Sequence, residues 1–156
     1  MRELPILFKT EMVQAIISGT KNQTRRTAGL EKVNENPEQW VYNPEIKPAV
    51  SFFNKISGFI ATCKPRYQKG DHIWVKETYF DTRKYKSFPT FEFVNDYIYR
   101  ADKDASIGCH NWKPSLFMPK VAARIWLEYT GVRCERLLDI KDEDCIGEGI
   151  EKWIAP

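Results

Sequence analysis

Lys21, Thr24, Arg25 and Arg26 stand within the run Gly19-Thr20-Lys21-Asn22-Gln23-Thr24-Arg25-Arg26, and together they offer two kinds of chemistry. Three cations beside a hydroxyl suit a phosphate, because arginine presents forked donors and lysine a mobile point charge. A threonine hydroxyl next to a lysine also suits acyl chemistry. The hydroxyl attacks only after a base has removed its proton, and an amine serves as that base only in its neutral form. The competing reading is a solvated basic turn that does neither. If the segment is extended, Thr24 and Arg26 point one way and Lys21, Gln23 and Arg25 the other, unless a turn at Asn22 brings Lys21 and Thr24 together.

The elements that would position this run are readable on either side of it. Ile6-Leu7-Phe8 predicts a short strand. Thr10 is placed to cap a helix over Glu11 to Ser18, with Met12, Val13, Ile16 and Ile17 as its apolar stripe and Gly19 as its stop. From Thr27 to about Pro65 the sequence turns irregular and rich in Asn and Pro, an excursion that Phe52, Phe53, Ile56 and Phe59 would fold back onto the body. A turn at Gly70-Asp71 precedes the clearest strand, His72 to Tyr79. Phe91 to Arg100 predicts another, and Ala123 to Cys134 a long strand or a hairpin broken near Gly131. Trp112 to Lys120, with two prolines, predicts extended loop. Asp142, Glu143 and Asp144 mark the first turn of a short closing helix, where negative charge meets the positive end of the helix dipole.

Few short helices and scattered strands predict one α+β domain on a small mixed sheet or barrel. At 156 residues the chain supports a single core. A doubly wound parallel fold is excluded by the lack of regular strand and helix alternation and of a glycine-rich phosphate loop. Aromatic residues make up 13% of the chain, and they serve either packing or base stacking. A net charge of +3 does not identify a nucleic-acid binder, so the distribution of charge must. No secretory apolar region and no membrane-length apolar run is present. Cys63, Cys109, Cys134 and Cys145 show no paired spacing, which points to free thiols in a cytoplasmic protein. Cys109, His110 and His72 are too few and too scattered for zinc, and no cofactor motif appears.

The run Gly19-x-Lys21-x-x-Thr24-Arg25-Arg26 after an Ile-rich helix resembles the signature of the ASCH family, in particular its phage and prophage members. Three further stretches agree in order. Gly70-Asp71-x-Ile73-Trp74-Val75-Lys76-Glu77-Thr78 is similar to the family's central strand. Trp112-x-Pro114-Ser115-x-Phe117-Met118-Pro119, followed by Ala123-Arg124-Ile125, is similar to its next block, and Glu135-Arg136-Leu137-x-Asp139-Ile140 leading to Glu148-Gly149-Ile150 resembles its closing helix.

The resemblance implies a PUA-like fold, a small β-barrel or curved mixed sheet with flanking short helices, over residues 1–156 with an insertion at about 27–65. It implies a cleft that receives RNA or a modified nucleoside. Some small ASCH proteins remove the acyl group of N4-acetylcytidine with a Lys, a Thr and a Glu. Carried onto this sequence these are Lys21, Thr24 and Glu148, with Glu143 the competing carboxylate. Nearby Arg25 and Arg26 would favour a neutral Lys21, and a close Glu148 would oppose it. Lys21 is then either the base or a charged group that stabilises the oxyanion. Many phage-type relatives continue past the closing helix into a further strand, so the end at Trp153-Ile154-Ala155-Pro156 would leave a sheet edge open. A non-catalytic structural or interaction domain of a phage protein is the alternative on the same fold.

Several other residues are candidates for contact with the ligand. Arg25 and Arg26 would meet phosphate on one concave surface with Glu77 or Arg124. Glu77 would read an exocyclic amine or else pair with Arg26 or Arg124. Trp112 is placed to stack on a base, whereas Trp74 reads as core or as part of the cleft with Lys76. Lys64 to Lys69 and Arg83 to Lys86 interleave cations with Tyr, which fits either a backbone-binding surface or a solvated loop.

Overall fold

The alternation of Ile73 and Val75 with Trp74 gives a strand that is apolar on both faces, and all three side chains are buried. In the computed structural model, which describes residues 1–43, 49–84, 95–102 and 111–150, that strand is the centre of a three-stranded mixed sheet. β1 (Glu3–Leu7) runs parallel to it, with Glu3 opposite His72 and Leu7 opposite Lys76. The chain between them leaves β1 and returns through α1 (Thr10–Ile17), α2 (Glu31–Glu35) and a meander of β2 (Trp40–Asn43), β3 (Val50–Asn54) and β4 (Ile60–Cys63) before entering β5 (His72–Lys76). A parallel pair needs such a crossover.

Beyond β5 come β6 (Tyr79–Asp81), β7 (Tyr97–Tyr99) and β8 (Trp126–Glu128), then α3 (Asp142–Gly147). β8 is antiparallel to β5, with Ile73 opposite Leu127. β6 and β7 form a separate antiparallel pair. The mixed sheet and the short helices agree with the α+β expectation. A closed barrel does not form among the described residues: the strands fall into sheets ordered β1-β5-β8, β2-β3-β4 and β6-β7, and each is too narrow to curl onto itself.

Each sheet has its own apolar cluster. Ile6, Phe8, Val13, Ile73, Val75 and Ala101 form the main core, and Met12 and Ile16 of α1 pack against it. Ile17, expected in the same stripe, is 56% exposed, because at about 100° per residue it falls on the edge of the face centred between Met12, Val13 and Ile16. Thr10 is the first helical residue and not the cap, which is Lys9, without a side-chain hydrogen bond. Gly19 ends the helix as predicted, at φ +78°.

The excursion after Arg26 is not irregular. It builds its own sheet around Val33, Trp40 and Phe52. Of the four residues expected to fold it back, only Phe52 is buried, whereas Phe53, Ile56 and Phe59 are exposed. Phe53 lies one residue from Phe52 and therefore on the opposite face of β3.

The predicted strand from His72 to Tyr79 breaks at Glu77 and Thr78, where the Glu77 amide donates to Met118 Sδ at 3.1 Å instead of a strand partner. Ala123 to Cys134 contributes only the three residues of β8. The loop from Trp112 to Lys120 contains a 3-10 turn at Ser115–Phe117. Of the strand expected from Phe91 to Arg100, residues 91–94 lie outside the described residues, as do Tyr85, Lys86, Cys109, His110 and the chain after Ile150. No helix among the described residues is long and apolar enough to cross a membrane, and no cluster of His, Cys, Asp or Glu there could hold a metal ion.

Candidate functional site

The stop at Gly19 turns the chain back under α1, so that the Lys21 amide donates to Ala15 O at 2.9 Å and the Lys21 side chain runs inward. Its ammonium is buried, 5.7 Å from the centre of the Phe8 ring. Three acceptors surround it: Gln23 O at 2.8 Å, Glu148 O at 2.7 Å and Glu148 Oε2 at 3.0 Å. An ammonium has three hydrogens, and all three are taken. Glu148 is thus the carboxylate that meets Lys21. Glu143 is exposed on α3.

Two glycines allow α3 to sit this close. A side chain on Gly149 would come within 2.9 Å of Ala15 Cβ and 3.2 Å of Lys21 Cβ, and its φ of +83° also favours glycine. Gly147 O accepts from the amides of Asn22 and Gln23, at 2.9 and 3.0 Å, and a Cβ there would clash with both of their side chains.

The rest of the motif divides between two environments. Arg25 turns toward α3, with Nη2 2.7 Å from Glu135 Oε1 and 3.7 Å from Asp144 Oδ2, and Nη1 3.4 Å from Glu148 Oε1. Gln23 donates to Asp144 O and Oδ1, while Arg133 donates to Asp144 Oδ1 at 2.8 Å and to Gln23 Oε1 at 3.1 Å. The Gln23 amide, then Arg133 and the Lys141 amide, hold the Asp144 carboxyl down at about 2. Arg26 points the other way. Its Nη1 donates to Thr24 Oγ1 and to Arg25 O, both at 2.7 Å, so the Thr24 hydroxyl oxygen serves to orient Arg26.

Arg26 lines a cleft of about 570 Å³ where β1 passes into α1. Lys9, Thr10, Thr78, Arg100 and Ser115 provide its other polar groups apart from Glu11, the one carboxylate in the wall, while Leu7, Phe8, Met12 and Pro114 contribute apolar surface. Among the described residues, Lys9, Arg26 and Arg100 have no carboxylate within 4.0 Å. The motif cations therefore differ in kind: Lys21 and Arg25 are neutralised by α3 and its neighbours, and Arg26 is open to an outside anion.

Of the residues singled out in the sequence, Lys21 and Glu148 are brought together, and Thr24 is close to Arg26. Thr24, Lys21 and Glu148 do not line the cleft. Trp74 is a core residue with the Lys76 ammonium 5.6 Å from its ring centre, and Lys76 donates to Leu116 O at 2.5 Å. Glu77 is buried against Arg124 through two hydrogen bonds, at 2.9 and 3.0 Å, which makes it a structural ion pair rather than a cleft carboxylate. Arg25, Glu77 and Arg124 are not among the residues that line the cleft at Arg26. Trp112 stands edge-on to Phe80, with ring centres 6.4 Å apart. Lys9 and Arg100 were not singled out from the sequence as site residues, and Thr78 and Ser115 stood only within the stretches that resemble the family. They lie far apart along the chain, and the pairing of β1 with β5, the pairing of β6 with β7 and the bridge from Tyr79 to Lys113 bring their segments together. The chain matches no family model, no curated protein and no solved structure.

Proposed function

We propose that this chain is a binding domain for RNA or a nucleotide, of the kind the ASCH resemblance implies, and that the phosphate enters the cleft between Lys9, Arg26 and Arg100. The observation that carries this reading is that these three cations line one cleft and none has a carboxylate within ion-pair distance among the described residues. A volume of about 570 Å³ suits a ligand of nucleotide size, and its apolar wall suits the face of a base. Hydroxyls of Thr10, Thr78 and Ser115 add donors for phosphate or sugar oxygens.

The test is binding of a short fluorescent single-stranded RNA, followed by anisotropy at several salt concentrations. An Arg26→Ala, Arg100→Ala double variant should bind more weakly, and the slope of log K against log salt should fall by about 1.4, roughly 0.7 for each lost phosphate contact on a single strand. A mononucleotide competitor reports whether the cleft alone is sufficient. A folded double variant with unchanged affinity and slope would exclude this cleft and favour the interaction-domain alternative. Hydrolysis of an acylated nucleoside is the alternative: two of the three residues it would use, Lys21 and Glu148, meet at 3.0 Å, but that contact holds Lys21 as an ammonium and Thr24 Oγ1 accepts from Arg26.

A further inference from the structure

Cys63 is the last residue of β4 and lies opposite Val50 in β3, while Ala61 lies opposite Phe52. Alternation along the strands therefore places Val50, Phe52, Ala61 and Cys63 on one face of the sheet. That is the inner face, where Phe52 is buried with Val33 and Trp40. Cys134 arrives from the other end of the chain and packs against the same cluster of Val33, Trp40 and Phe52. Both thiols are free and partly buried. Gly29 leaves room for the first of them, since a Cβ there would stand 2.8 Å from Cys63 Sγ, and the Cys63 thiol donates to Ala28 O at 3.6 Å.

We propose that Cys63 and Cys134 form a peroxide-sensitive thiol pair that closes to a disulfide between the excursion sheet and the segment holding the motif. In the first step the Cys63 thiolate attacks one oxygen of hydrogen peroxide and the O–O bond breaks. Cys63 becomes a sulfenic acid, and one water is released once the thiol proton is counted. In the second step the Cys134 sulfur attacks the sulfenic sulfur, the S–S bond forms, the S–O bond breaks and a second water leaves. The two thiols lose two electrons and one peroxide gains them. Burial, with the nearby Cys63 next in effect, pushes the Cys134 thiol up, and Cys134 takes the resolving part.

The position of the pair connects it to the motif on both sides. Ala28 and Gly29, which touch Cys63, follow Arg26 at a distance of two and three residues. Cys134 stands between Arg133 and Glu135, which hold Gln23, Asp144 and Arg25. Cys145 lies apart from this sheet, on α3.

The experiment treats the folded protein with hydrogen peroxide, alkylates the remaining thiols and maps the digest by mass spectrometry without reduction. The expected result is a linked pair of peptides carrying Cys63 and Cys134, about 2 Da lighter than their sum, with Cys145 alkylated. Cys63→Ser and Cys134→Ser, each checked by circular dichroism, should both lose the linked species. Oxidation at Cys145 while Cys63 and Cys134 remain alkylated would overturn the proposal. So would a Cys63–Cys134 link that forms only after unfolding in urea.

Discussion

Arg124 grips Glu77 at two points, Nε to Oε1 at 2.9 Å and Nη2 to Oε2 at 3.0 Å, and its third nitrogen reaches Asp102 at 2.7 Å. The Glu77 carboxylate is almost wholly buried, and the guanidinium lies 4.0 Å from the centre of the Tyr99 ring. The pair fastens the break between β5 and β6 to the chain entering β8. Arg124→Ala strands a buried carboxylate, and loss of one partner of such a pair costs about 3–5 kcal/mol. Urea unfolding should show this loss, with a smaller one for Glu77→Gln, which keeps an acceptor and removes the charge.

Asp144 gives the expected response to acid. Its folded value of about 2 lies below the ordinary 3.8, so its contribution to stability is fully present above about pH 4 and is lost as the pH falls toward 2. Asp81, held by the Arg83 guanidinium to the same value of about 2, acts in the same window and sign. Urea midpoints at pH 5, 3 and 2 should fall steeply for the wild type. Asp144→Asn should start lower at pH 5 and lose less between pH 5 and 2. Parallel curves for the two proteins would show that Asp144 does not drive the acid response.

The parts of the fold that could be read from sequence are those fixed by local pattern. Gly19 stops α1 because only glycine readily takes its φ, and Ile73-Trp74-Val75 declares a strand buried on both faces. The acidic first turn of α3 is equally local. What could not be read depends on partners distant in the chain. The Asn- and Pro-rich stretch after Arg26 hides a sheet because its short strands gather around only three buried apolar residues, Val33, Trp40 and Phe52. Glu77 ends β5 because its carboxylate finds Arg124 and its amide finds Met118, and neither is signalled by the strand itself. The motif was visible as a cluster of cations, but its division was not. Arg25 is taken by Glu135, Asp144 and Glu148, and the cations that join Arg26 are Lys9 and Arg100, which no spacing connects to it.

Under the proposed binding role, that division assigns stability and binding to adjacent residues. Arg25→Ala removes a guanidinium shared by three carboxylates and should lower the urea midpoint while leaving RNA affinity within about twofold, since Arg25 does not line the cleft. Arg26→Ala should do the reverse: an unchanged midpoint, and affinity weaker by about threefold to tenfold at 0.1 M salt for one lost phosphate contact. Measuring both quantities on both variants checks the assignment. Equal losses of affinity would mean that the ligand reaches the α3 side as well.

The last expectation concerns N4-acetylcytidine. A Lys21 base must offer a lone pair to the Thr24 hydroxyl. Here the three ammonium hydrogens are directed to Gln23 O, Glu148 O and Glu148 Oε2, and Thr24 Oγ1 already accepts from Arg26. For hydrolysis Lys21 would have to lose a proton and leave Glu148, and the substrate would have to displace Arg26 from Thr24. A binding domain needs neither change. Wild-type protein is therefore expected to release no acetate above the uncatalysed rate, while N4-acetylcytidine 5′-monophosphate competes with RNA through its phosphate. Lys21→Met should destabilise the fold by about 1–3 kcal/mol, because it leaves two carbonyls without their donor and the Glu148 carboxylate with Arg25 alone, and Thr24→Ala should leave stability nearly unchanged. Acetate release by wild type that disappears in Thr24→Ala and in Lys21→Arg, with both variants folded by circular dichroism, would reverse the ordering and establish Lys21 and Thr24 as catalytic.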